Sequence, residues 1–155
     1  MMIVEFPTQT VKTDDVSFPH FPQQPFFSGV MPLPPSINDA YQIITYKGGK
    51  RIGPSSDLQQ FKNDAALMLT QAEANWSLIN AIRDSKRKVP LAVEIRVYFR
   101  SQWKQDLDDV LKFIIDAAFT RIQLNDNQVI ELHSIKEVDP IEPRATIEIK
   151  CVVGH

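Results

Sequence analysis

Residues 91–100, LAVEIRVYFR, place Leu91, Val93, Ile95, Val97 and Phe99 at every second position, with Glu94, Arg96, Tyr98 and Arg100 among the residues between them. Successive side chains of a strand point to opposite faces, so this stretch reads as a strand with one dry and one wet face. After the loop SQWKQ the period changes. Leu107, Val110, Leu111, Ile114, Ala117 and Ala118 recur at helical spacing, which predicts a helix over about 107–120. LNDN then makes a turn, residues 128–138 read as a strand, and residues 145–153 alternate as a last strand. Strand, helix and strand in succession call for a sheet with a helix laid across it.

The first half fits the same frame. Residues 27–33 read as a first strand, and Pro34 and Pro35 stiffen its exit into SINDAY, where Ser36 and Asn38 suit bonds to nearby backbone. YQIITYKGGKRI reads as a hairpin turning at Gly48-Gly49, with Lys47, Lys50 and Arg51 at its tip. In SSDLQQFKNDAALMLTQAEA, Leu58, Phe61, Ala65, Leu69 and Ala72 keep helical spacing, and Ser56 with Gln59 forms a capping box. A short helix at 77–83 and a basic loop, SKRKVP at 85–90, complete the series. The expected class is α+β: a mixed β-sheet of about four to six strands with two main helices. Residues 1–28 differ, because Pro7, Pro19, Pro22 and Pro25 run among Phe6, Phe18, Phe21, Phe26 and Phe27 and oppose regular structure. An N-terminal arm at 1–28 is expected before one domain at 29–155.

Composition removes several classes. No apolar run approaches the roughly 18 residues of a membrane span. The start, MMIVEFPTQTVK, lacks the basic and apolar segments of a secretory signal. Cys151 is the only cysteine, so no disulfide forms within the chain, and a cytoplasmic location is expected. The net charge of −2 tells against a generic nucleic-acid binder. His20, His133 and His155 are scattered, and no zinc spacing, glycine-rich phosphate loop or serine–histidine pairing stands out, so no organic cofactor is expected.

What remains is acidic. KQDLDDVLKFIIDAAFTRIQLNDNQV, residues 104–129, sets Asp106, Asp108 and Asp109 together and Asp126 in the following turn. One reading is structural: Asp106 caps the helix, and Asp108 and Asp109 complement the positive end of its dipole. The other is chemical. Lys112 lies four residues after Asp108, and Asp116 four after Lys112, a polar line on a helix face. If the strand after the turn packs near the helix start, Asp126 reaches Asp106 and Asp108. Three carboxylates suit Mg²⁺, which can activate water and stabilise the leaving oxygen of a phosphodiester. Lys112 would then neutralise charge developing at phosphorus.

This pattern resembles the RusA family of Holliday junction resolvases. The family's D-L-D-N/D-x-x-K-x-x-x-D-A stands here as Asp106-Leu107-Asp108-Asp109, Lys112 and Asp116-Ala117. Its turn stands as Asn125-Asp126-Asn127-Gln128-Val129. PPSIN at 34–38, the helix SSDLQQFKND and Lys136 extend the resemblance to roughly residues 28–150. It implies a small homodimer that resolves four-way DNA junctions by paired symmetric nicks, using Mg²⁺, in recombination and repair. The essential aspartates would be Asp106, Asp108 and Asp126, as metal ligands, with Lys112 as the catalytic lysine. Asp109 stands where the family usually has Asn, and Asn125 where it usually has Asp. The chain is also near neutral where the best-known members are strongly basic, so DNA contact falls to local cations: Lys47, Lys50, Arg51, Arg100 and Lys104, with Arg96 and Arg121 near the motif. The alternatives are a branched-DNA-binding protein of the same fold that does not cut, and a protein-binding domain whose aspartates are structural.

Overall fold

A computed structural model describes residues 24–103 and 105–152. Its elements are β1 (Phe27–Pro32), β2 (Tyr41–Tyr46), β3 (Gly49–Pro54), α1 (Ser56–Met68), β4 (Glu73–Ala74), α2 (Trp76–Asp84), β5 (Leu91–Phe99), α3 (Asp108–Ile122), β6 (Val129–Val138) and β7 (Arg144–Cys151). Five strands form one sheet in the order β4-β1-β7-β5-β6, and β2 and β3 pair apart from it as a hairpin. Only the β5–β6 pair in that sheet is parallel. The α+β class with a mixed sheet is therefore what the chain forms.

Register explains which face is dry. Val93, Ile95 and Val97 of β5 lie opposite Ile149, Ile147 and Ala145 of β7. Those three in turn lie opposite Phe27, Gly29 and Met31 of β1. All of these are buried, and they share one core with Leu58, Phe61 and Ala65 of α1, Ile79 and Ile82 of α2, and Val110, Ile114 and Ala118 of α3. Each fully buried aliphatic side chain contributes about 1.5–3 kcal/mol, so the alternation at 91–99 largely dictates which way the central strand faces. The other sheet face is polar. There Arg96 donates to Glu137 at 3.0 Å and lies 3.7 Å from Glu94, and Arg144 stacks on Tyr98. The helices thus cover one face only.

Three local departures have physical causes. The N-cap of α1 is Ser55, not Ser56: its Oγ accepts from the Leu58 amide at 3.2 Å while donating to the Asp39 carbonyl at 2.7 Å. The α-helix ends at Met68 and a 3-10 turn, Leu69–Gln71, carries the winding on, so the helical pattern stops just short of Ala72, because Glu73–Ala74 pairs with the outer edge of β1. Phe26 and Phe27 belong to the core, with the Phe26 amide donating to the Ile149 carbonyl at 2.9 Å. Residues 1–23 of the expected arm lie outside the described residues.

The crossover β5–α3–β6 governs the site. Parallel neighbours cannot be joined by a tight turn, so α3 carries the chain back along the sheet before β6 begins. Gln123, at φ 56°, ends α3 in the left-handed conformation. Arg83 of α2 donates to the carbonyls of Ile122 and Gln123, which satisfies acceptors the helix leaves free. Cys151 is buried at the end of β7, and burial pushes its thiol up to about 12, which marks it as a packing residue. No described helix is long and apolar enough to cross a membrane.

Candidate active site

The start of α3 lacks the cap the structural reading requires. Leu107 occupies the cap position and makes no side-chain capping bond. Asp106 contributes its backbone carbonyl, accepting from the Asp109 amide at 3.2 Å. Asp106 and Asp108 are exposed, and Asp108 and Asp109 lie in the first turn, where the dipole favours them. Lys112, also exposed, follows Asp108 by about one turn and rises on the same side of the helix.

Asp126 lies elsewhere. It opens a 3-10 turn, Asp126–Gln128, that leads into β6. Asn125 caps this turn, its side chain accepting from the Asn127 amide at 3.0 Å, and Gln128 ties it to the Val89 carbonyl at 3.1 Å. Because β6 runs parallel to β5, Val129 sits beside Leu91 and Val138 beside Phe99. Asp126 therefore belongs to the Leu91 end of the sheet, while Asp106 and Asp108 follow Phe99 at the other end. The 15 residues of α3 separate them, and at 1.5 Å per residue that helix is about 22 Å long. Among the described residues, no three His, Cys, Asp or Glu side chains form a group that could hold a metal ion. The strand after the turn thus does not return to the helix start within one chain, and the three aspartates of one chain do not fit one cation.

Asp126 instead faces a groove of about 860 Å³ between α1 and α3, lined also by Tyr41, Lys62, Lys112, Asp116 and Arg121. Crowding by protein raises the Asp116 pKa above the ordinary carboxylate value, and the Asp126 charge raises it further. Lys112 and Lys62 pull it back down. The raised carboxyl binds its proton more tightly folded than unfolded, so its contribution to stability is complete at low pH and lost as pH rises through the carboxylate range. Asp116→Asn should therefore raise the melting temperature at pH 7 in EDTA. That gain should vanish below about pH 3.5, where carboxylates are protonated in both states; thermal melts at the two pH values read the difference. The polar line on α3 singles out Asp116 from the sequence alone. Lys62 carries no such signal, because only the packing of α1 on α3 brings it here.

The candidate DNA-contacting cations are distributed. Lys47, Lys50 and Arg51 are exposed on the β2–β3 hairpin, which has no acidic residue from Tyr41 to Pro54. The Tyr41 ring packs on Phe113 of α3 at 6.2 Å between centroids and holds the base of the hairpin against that helix. Arg100 is exposed just past β5, at the same sheet end as Asp106, and Lys104 lies outside the described residues. Arg96 does not join a basic patch there, because the strand alternation turns it to the opposite sheet face and into ion pairs with Glu94 and Glu137. Arg121 packs over the Trp76 ring at 5.2 Å, and its Nε is buried without a hydrogen-bond partner among the described residues.

Residues 32–150 match the family model of endodeoxyribonuclease RusA. No curated protein matches the chain. The matched stretch runs from the end of β1 nearly to the end of β7, and includes the hairpin, the groove between α1 and α3, and the crossover bearing both aspartate groups. With most of its length, most of its mixed sheet and its acidic helix start inside that match, the chain belongs to the endodeoxyribonuclease RusA family.

Proposed function

We propose that this protein is a Mg²⁺-dependent endonuclease that resolves four-way DNA junctions as a homodimer, by paired symmetric nicks, in DNA recombination and repair. Family membership supports a junction-resolving endonuclease. Asp106, Asp108 and Asp126 are the proposed metal-binding carboxylates, and Lys112 the cation beside them. Lys47, Lys50, Arg51, Arg100 and Lys104 are the proposed phosphate contacts, which a chain of net charge −2 needs concentrated locally.

The observation that carries the two-chain form is the separation of the aspartates along α3. The edge of the sheet supports the same form. β6 is the outermost strand, yet Ile130, Leu132 and Val138 on it are 51%, 48% and 45% exposed. Leu132 lies beside Val93 and Val138 beside Phe99, so these apolar groups continue the helix-covered face past the last strand. An open apolar edge strand is a template for another strand. A second copy, turned about a two-fold axis through β6, would pair the two edges antiparallel and set the two α3 helices in opposite directions. Asp126 of the partner subunit would then lie at the Phe99 end, where Asp106 and Asp108 are. Two equivalent acidic groups result, matching the approximate two-fold symmetry of a junction.

The test uses a mobile four-way junction with wild type and Asp108→Asn, each in Mg²⁺ and in EDTA. Wild type should nick in symmetric pairs only with Mg²⁺, and Asp108→Asn should bind but cut at least about 10³-fold slower. Binding by both proteins without nicks would establish instead a branched-DNA-binding protein of the same fold.

A further inference from the structure

We infer that Lys136 is the positioning residue of the candidate active site, holding the loop that delivers Asp106 and Asp108 to the start of α3. This inference rests on the nuclease reading above. Lys136 lies on β6 beside Val97, on the sheet face covered by the helices. Its ammonium donates to two backbone carbonyls of the loop between β5 and α3, Gln102 at 2.8 Å and Gln105 at 2.6 Å. It also sits over the Phe99 ring, 5.1 Å from the centroid. Phe99 is buried, so the cation is seated from beneath on a fixed aromatic face.

The loop needs such a support. It runs from Arg100 to Leu107 between the end of β5 and the start of α3. Gln105 immediately precedes Asp106, so a bond to its carbonyl fixes the peptide plane from which Asp106 departs. An ammonium supplies three donors and no acceptor, which suits it to gather carbonyls of one loop from below. Two charge-assisted bonds and a ring contact also distinguish this lysine from one extended into water. The mechanistic consequence is geometric: Lys136 touches none of the reacting groups but sets where two of the carboxylates stand. Groups that orient ligands in this way typically change metal affinity or activity by about 10- to 100-fold when removed.

The test compares Lys136→Met and Lys136→Arg with wild type. Lys136→Met should cut the nicking rate on a mobile junction about 10- to 100-fold and raise the Mg²⁺ concentration for half-maximal rate. Junction binding in EDTA should stay within about twofold of wild type, and the melting temperature should move little. Lys136→Arg, which can still donate to both carbonyls, should recover most of the rate. Amide hydrogen exchange over residues 101–109 should speed up in Lys136→Met and return toward wild type in Lys136→Arg. Wild-type nicking and Mg²⁺ dependence in Lys136→Met would overturn the inference, as would unchanged exchange in the loop. An equal loss of junction binding in EDTA would also overturn it, by making Lys136 a DNA contact. If wild type cuts no junction at all, the nuclease reading fails by itself, and the exchange data still decide whether Lys136 holds the loop.

Discussion

Asp108→Asn and Asp126→Asn should each abolish junction nicking, and a mixture of the two, after subunit exchange, should recover it to about one quarter of the wild-type level. The fraction follows from the geometry. In a mixed dimer, the chain carrying Asp126→Asn supplies an intact Asp108, and the other chain supplies an intact Asp126. In the proposed pairing of the β6 edges, these two meet at one end of the joined sheet and make one complete acidic group. The opposite end receives both substitutions and stays silent. Random exchange makes about half of the dimers mixed, each with one working site of two. The recovered cuts should also be single nicks rather than symmetric pairs, visible on a junction labelled on each strand in turn. A mixture as inactive as its parents would place all three aspartates in one chain's site, against the opposite ends at which the register of β5 and β6 puts them. Asp106→Asn mixed with Asp108→Asn serves as the control, since both lie at the same end and cannot complement.

Leu132→Arg should convert the protein to a folded monomer with at least about 100-fold less nicking. Leu132 is nearly half exposed in the single chain, so the substitution leaves no cavity and buries no charge within it. Its effect on monomer stability should stay within about 0.5 kcal/mol, as for other surface changes. Across a two-fold interface the same change enters twice, placing two guanidinium groups in one apolar seam. Sedimentation should show the mass halved while circular dichroism stays close to wild type and the melting temperature no longer rises with protein concentration. A variant that remains dimeric and active would move the interface away from β6. One that unfolds would show that Leu132 does more for the single chain than its exposure indicates, and Ile130→Arg, also half exposed on the same edge, then repeats the test.

Much of the fold was legible in the sequence because its signals are local. The alternation of Leu91 to Phe99 follows from the two-residue repeat of a strand, and the spacing of Val110, Ile114 and Ala118 from the turn of a helix. The acidic motif was legible for the same reason: Asp106, Asp108, Lys112 and Asp116 share one helix and its approach, so spacing alone orders them. The cap of α1 moved by one residue because the carbonyl that holds Ser55 belongs to Asp39, outside the helix. The short strand β4 has no signature in the sequence because two residues carry no periodicity; the open edge of β1 creates it.

Spacing along the chain is enough to say which residues alternate, which wind, and that two acidic groups flank α3. Where those groups stand follows from contacts between residues distant in the chain. Whether β6 lies parallel or antiparallel to β5 depends on hydrogen bonds between residues nearly forty positions apart. That direction alone puts Asp126 one helix length from Asp106 rather than beside it. Pairing across the sheet likewise brings Lys136 under Gln105, and packing of α1 on α3 brings Lys62 to Asp116. Periodicity is a property of the backbone over a few residues, whereas a site gathers side chains by contacts that no short stretch encodes.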